Sequence, residues 1–189
     1  QILKHADFIF TPSVFEENYI RQKYKIRNVG VLPLNVIAEP LLRRGNAPSE
    51  PELLFVGGMA HAPNPDGIRW FLEQIWPDIL THCAGAGLHI VGEGSPDSLL
   101  QCAASNVHFH GGVSEEALFD FYQTCRLVIA PLRFGAGVKG KVVEAMRHGT
   151  PLVATSVAVE GIRDLETIVP PLDEPTAFAQ EALRLLALD

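Results

Sequence analysis

Apolar and polar positions along the chain follow two alternating periods. Short apolar runs of strand character fall at Asp7 to Phe10, Val29 to Leu32, Leu53 to Val56, Leu88 to Val91, Val107 to His110, Leu127 to Ala130, Leu152 to Ala154 and Thr167 to Val169. Between them lie stretches with apolar residues at helical spacing. Phe15, Tyr19, Ile20 and Tyr24 define the first, entered through Thr11 as N-cap and Pro12 at the first helical position, and ending near Lys25. Ile68, Phe71, Leu72, Ile75 and Ile79 share one face of a helix predicted over Asp66 to Leu80. Asp97 to Ala104 is a short helix. Ser114 caps another, whose buried face carries Leu118, Phe121 and Tyr122. Lys139 to Arg147 is helical and closes at Gly149, a residue suited to the left-handed turn after a helix. Thr176 to Leu186 is the last helix.

The pattern breaks once. Pro33, Pro40, Gly45, Pro48 and Pro51, with Arg43 and Arg44, mark a linker over residues 38–51. Residues 1–37 then read as a strand-helix-strand piece, and residues 52–189 as a full α/β domain. Strands alternating with helices of about 10–15 residues imply βαβ units and a parallel sheet with helices on both faces. In such sheets ligands sit beyond the carboxyl ends of the strands, where the strand order switches. The glycines that end several strands (Gly57 and Gly58, Gly92 and Gly94, Gly111 and Gly112) are therefore the places to look for function.

Composition narrows the class. Of 189 residues, 47% are hydrophobic and 20% charged, which fits a folded chain rather than a disordered one. No apolar run reaches the roughly 18–20 residues of a membrane helix. The net charge of −7 argues against a nucleic-acid partner, which calls for a basic stripe. Cys83, Cys102 and Cys125 are far apart and lack metal-ligand spacing, so they read as reduced core thiols of a cytoplasmic protein. The chain opens at Gln1 in mid-fold and stops at Asp189 just after a helix, as expected of a piece of a longer protein.

The segment from Ala130 to Thr155, APLRFGAGVKGKVVEAMRHGTPLVAT, carries the clearest chemistry. It is a strand, a loop holding Gly135, Ala136, Gly137 and Gly140, a helix, and a second strand. Glycines let backbone N–H groups approach a ligand, and a helix N-terminus favours an anion. Lys139 and Lys141 at the helix start oppose its dipole, unless a bound phosphate reverses the argument. Glu144 lies one turn on and shares a face with Lys141 and His148, while Val142, Ala145, Met146 and Gly149 point toward the sheet. A carboxylate there suits ribose hydroxyls; a Lys141–Glu144 surface pair is the simpler reading. Val91-Gly92-Glu93-Gly94 is half a dinucleotide fingerprint, too little for a nicotinamide site. His108 and His110 share a strand face without an evident third ligand, so no metal is expected. His61 reads as a surface residue, and His148 as a cation near a helix C-terminus.

These residues resemble the retaining, metal-independent family-4 (group 1) glycosyltransferases. The Ala130–Thr155 segment carries the likeness, with Phe55-Val56-Gly57-Gly58, Pro63-Asn64, Ile90-Val91-Gly92-Glu93-Gly94 and Val107-x-Phe109-x-Gly111-x-Val113 in the family's order. The resemblance implies a Rossmann-like C-terminal half of a GT-B fold, with residues 1–37 trailing from an acceptor domain. It implies a nucleotide-diphosphate sugar as donor, an acceptor glycan or lipid, and no cofactor. By resemblance, Val113 and Ser114 meet the base, Glu144 the ribose, and Gly135, Ala136, Gly137, Lys139, Gly140 and Lys141 the diphosphate; Gly57, Gly58, Gly92 and Glu93 face the cleft. The first acid of the family's E-x7-E motif falls at Ala136, and the usual first-loop cations fall at Gly58 and Asn64. Lys139 and Lys141 then supply the charge from the other loop. A GT-B sugar-nucleotide epimerase and a nucleotide-binding domain without catalysis are the competing readings.

Overall fold

The computed structural model describes residues 2–32, 40–41, 48–94, 96–101 and 106–188. Cys102 and most of the predicted linker lie outside them. Two parallel sheets form. The smaller pairs β1 (Ile9–Thr11) with β2 (Val29–Val31) across α1 (Val14–Tyr24). The larger contains β3 (Glu52–Val56), β4 (Gly87–Val91), β5 (Val107–Gly111), β6 (Leu127–Ala130) and β7 (Leu152–Ala154) in the order β5-β4-β3-β6-β7.

Every pair in that sheet is parallel, so each connection crosses a face. One layer holds α2 (Pro63–Gln74), α3 (Trp76–His82), the short α4 (Asp97–Leu100) and α8 (Pro175–Leu186). They pack Phe71, Ile79, Leu99 and Phe178 on Leu53, Phe55, Leu88 and Ile90. The other holds α5 (Glu115–Thr124), α6 (Gly140–Arg147) and the short α7 (Ser156–Val159). They pack Tyr122, Val142, Ala145 and Ala158 on Leu54, Val128 and Ala130. The predicted two-sided α/β sheet is therefore the observed one. Its order reverses between β3 and β6, so the loops that leave these two strands diverge and open a crevice.

Several predicted boundaries move for local reasons. Ser13, not Thr11, caps α1 and accepts the Glu16 amide, while Thr11 ends β1. The predicted helix over Asp66 to Leu80 is two helices broken at Ile75, because Pro77 has no N–H to continue the ladder and sits in the first turn of α3. Thr167 to Val169 is not a strand. Leu165–Thr167 forms a 3-10 turn behind Asp164, and Ile168 is exposed. Met146, expected against the sheet, is exposed too.

Two contacts set the crevice walls. A Cβ at Gly67 would fall 2.4 Å from the Pro131 carbonyl oxygen, so α2 presses its glycine on the chain leaving β6. The Arg133 Nε–H donates to the Asp66 carboxylate at 2.9 Å across the same seam. The small sheet docks on the far side, where Ser13 meets Gly161 and Glu16 reaches Gly137. Helix α1 buries no residue fully, and Phe8, Phe10, Phe15, Tyr19 and Tyr24 are exposed. Among the described residues no helix is long and apolar enough to cross a membrane.

Candidate functional site

A cavity of about 160 Å³ opens at the switch in strand order. The loop after β3 contributes His61 and the start of α2 contributes Pro63 and Asn64; the loop after β6 contributes Leu132, Phe134, Gly135, Ala136, Val138 and Lys139. Gly140 and Lys141, the first residues of α6, complete it. Gly135 and Gly137 take φ of 136° and 78°, values that side chains with a Cβ rarely adopt, and these turn the loop back onto the helix start. No side chain caps α6, and its first turn holds no acid. The N–H groups and positive dipole end of the helix thus meet the cavity with no acid in the helix's own first turn.

The two predicted lysines behave differently. Lys139 is buried and donates to the Gly137 carbonyl at 2.6 Å, with Glu160 Oε2 at 3.4 Å. Its charge has a counter-ion and its side chain braces the glycine turn. Lys141 donates to Asn64 Oδ1 at 2.8 Å and lies 5.0 Å from the centre of the Phe55 ring. Among the described residues no carboxylate comes within ion-pair distance of it. Burial, aided by the Lys139 charge, pushes its pKa down to about 8.

Asn64 is buried between the two loops, and its Nδ2 donates to the Gly58 carbonyl at 2.7 Å. A Cβ at Gly57 would fall 2.7 Å from that Nδ2, so the Gly57-Gly58 turn closes over the amide. Gly92, at φ 150°, packs equally tightly, since a Cβ there would lie 2.2 Å from the Gly57 carbonyl oxygen. The Met59 amide donates to the Glu93 carbonyl at 2.7 Å, and the Glu93 side chain covers Gly112. Gly57, Gly58, Gly92 and Glu93 thus join the loops after β3 and β4 to each other.

Glu144 lies on a separate, larger groove of about 720 Å³, with Glu115, Leu118, Phe119, Arg147 and His148. Its Oε2 is 3.7 Å from Arg147 Nη1 and from His148 Nε2, rather than paired with Lys141 as the simpler sequence reading had it. His148 is not an exposed cation at a helix end. It is buried, stacks on Tyr122 with centroids 4.3 Å apart and planes within 4°, and burial lowers its pKa. Ser114 caps α5 by accepting the Ala117 amide at 3.2 Å, and half-buried Val113 packs behind it. Glu144, Val113 and Ser114 therefore belong to the α5–α6 side, while Gly135, Ala136, Gly140 and the two lysines line the switch-point cavity and Gly57, Gly58, Gly92, Glu93 and Gly137 do not.

Sequence spacing missed two groupings. Asn64 and Lys141 are 77 positions apart and meet only because β3 and β6 are neighbours. His108 and His110 gain a third ring, His89, because β4 pairs beside β5 in register. His89 Nδ1 lies 2.8 Å from His110 Nε2 and His89 Nε2 lies 3.0 Å from Glu52. Among the described residues, though, no group of three or more such side chains is arranged to hold a metal ion.

Known proteins share this architecture. TarM of S. aureus, in a complex with fondaparinux, alpha-GlcNAc-glycerol and UDP, superposes with a TM-score of 0.81 at 15% identity, over 98% of this chain and 38% of that one. Sucrose-phosphate synthase of Thermosynechococcus elongatus gives 0.72 at 23% identity, over 98% and 50%. HepE of Anabaena, bound to UDP and glucose, gives 0.71 at 14% identity, over 97% and 55%. At these identities the likeness establishes the fold, the Rossmann-like half of GT-B glycosyltransferases. An uncharacterized 44.6 kDa protein of the cps region of Klebsiella pneumoniae is 29% identical over 116 residues, 58% of this chain and 30% of that protein. The chain thus spans about a third to a half of the length of these relatives. The family described as "Glycosyl transferases group 1" matches residues 50–188, and the chain belongs to it.

Proposed function

We propose that this chain is the donor-nucleotide half of a glycosyltransferase. The reaction moves a sugar from a nucleotide diphosphate to a hydroxyl of a glycan or lipid-linked acceptor, with retention at the anomeric carbon and without a metal. One observation carries the reading. Lys141 keeps a half-buried ammonium beside an uncapped helix N-terminus and over an open cavity, with a neutral amide as its partner. A buried cation without a counter-ion is costly, and a diphosphate supplies that counter-ion from solution.

The chemistry follows from the leaving group. As the glycosidic bond breaks, negative charge grows on the diphosphate. Preorganised donors aimed at that charge lower the barrier, and loss of a single one typically costs about 10²–10³ in rate. In this reading the Gly140 and Lys141 amides and the Lys141 ammonium receive the diphosphate. Lys139 holds the loop of Gly135, Ala136 and Gly137 in shape. Glu144 accepts ribose hydroxyls, with Arg147 and His148 orienting it. Val113 and Ser114 border the base through their backbone. Retention places the acceptor on the face the diphosphate leaves.

UDP is the first nucleotide to try, because TarM and HepE were captured with it. The test compares UDP, GDP and ADP and their sugars by thermal shift. A ligand bound only by the folded state raises its melting temperature, by about 2.7 kcal/mol of stability at a hundredfold excess over Kd. Stabilisation by at least one of them supports the reading, and none at all would refute it. Transfer by the longer protein, unaffected by EDTA and giving the donor's own anomer, tests the remaining steps.

A further inference from the structure

We infer that Asn64 is a positioning residue that fixes Lys141 over the cavity as an un-neutralised cation, ready for the diphosphate of a nucleotide sugar. This rests on the anion site proposed above.

Four observations converge on it. Asn64 is 4% exposed, and both ends of its amide are engaged. Its Oδ1 receives the Lys141 ammonium at 2.8 Å, and its Nδ2 donates to the Gly58 carbonyl at 2.7 Å. The amide has one workable orientation. Turned over, it would place NH2 against an ammonium and a carbonyl against a carbonyl. The Phe55 ring, 5.0 Å below Lys141, offers a second partner that carries no charge. The missing Cβ at Gly57 leaves room for this amide.

The choice of residue has a consequence. A carboxylate at position 64 would hold the lysine as well, but would cancel its charge before any ligand arrived. A small apolar residue would leave the ammonium without an acceptor. Asparagine satisfies the lysine's geometry and leaves its charge for the ligand. Lys139 shows the contrast, since Glu160 lies 3.4 Å from its ammonium.

The experiment reads Lys141 itself. The titration midpoint of its Nζ is followed by NMR in lysine-labelled wild type, Asn64→Asp and Asn64→Ala. UDP affinity is measured by calorimetry in each from about pH 6.5 to 9.5. Asn64→Asp should raise the midpoint, flatten the alkaline loss of affinity, and weaken UDP at neutral pH by about tenfold or more. Asn64→Ala should lower the midpoint and weaken UDP, with the alkaline loss beginning at lower pH. A fold defect would weaken binding without moving the midpoint in opposite directions. If Asn64→Asp does not fold, the downward shift in Asn64→Ala still decides. Unchanged midpoints, or UDP bound by Asn64→Asp as tightly as by wild type, would overturn the inference. Failure of the underlying reading looks different: wild type would bind none of UDP, GDP and ADP, or Lys141→Met would bind the preferred one equally well, whatever the midpoints do.

Discussion

At the residue scale, the site turns on how two lysines of one loop are compensated. Lys139 has Glu160 and the Gly137 carbonyl; Lys141 has Asn64 and an aromatic face. We predict that Lys139→Met lowers stability more than it lowers UDP affinity, as urea unfolding and calorimetry on the same variant will show. The pH dependence has two opposite parts. In the free protein the Lys141 midpoint near 8 lies below the ordinary 10.5. Between those values the unfolded chain binds more protons, so folding stability contributed by this group rises with pH across that window. The stability gap between wild type and Lys141→Met should close as pH rises from about 8 to 10 in urea titrations. UDP affinity should do the reverse, full below pH about 8 and falling above it as the ammonium is lost. The sequence revealed that both lysines stand at a helix start beside glycines. It could not reveal their different partners, because Asn64 and Glu160 reach them through tertiary contacts 77 and 21 positions away.

At the scale of elements, short apolar runs located every strand of the large sheet: they are continuous in β3, β6 and the three-residue β7, broken by His89 in β4, and alternate with His108 and His110 in β5. Pattern failed where local chemistry overrides it. Pro77 divides one predicted helix into α2 and α3, and Asp164 at φ 59° starts a 3-10 turn where an apolar pair resembled a strand. Two substitutions test the packing that positions the site. Gly67→Ala drives a methyl into the Pro131 carbonyl, 2.4 Å away, and should cost about 1–3 kcal/mol and separate α2 from the β6 loop. UDP affinity should fall with it, since Asn64 rides on the first turn of α2. Phe178→Ala empties a fully buried contact of α8 with Phe71 and Trp70, and should cost about 3–5 kcal/mol in urea unfolding. Because Phe178 lies in the layer around α8, away from α6, UDP affinity of the folded fraction should stay near wild type.

At the scale of the whole molecule, the strand order explains where function collects. The loops after β3 and β6 diverge at the switch point, and the cavity, Asn64 and Lys141 all lie there. This placement was legible in the sequence as glycine-ended strands, but the order that makes β3 and β6 neighbours is a property of the assembled sheet. Glu144, the proposed ribose partner, opens onto a different groove, so a ligand that reaches both Lys141 and Glu144 must bridge two recesses. A nucleotide sugar has that shape, with a charged centre between two polar ends. The account therefore rests on whether the charged centre meets Lys141. Calorimetric titration of UDP into wild type and Lys141→Met at neutral pH tests this most directly. The account predicts saturable one-to-one binding to wild type and a loss of about tenfold or more in the variant, with its fold intact. Equal affinity in the two proteins would contradict it.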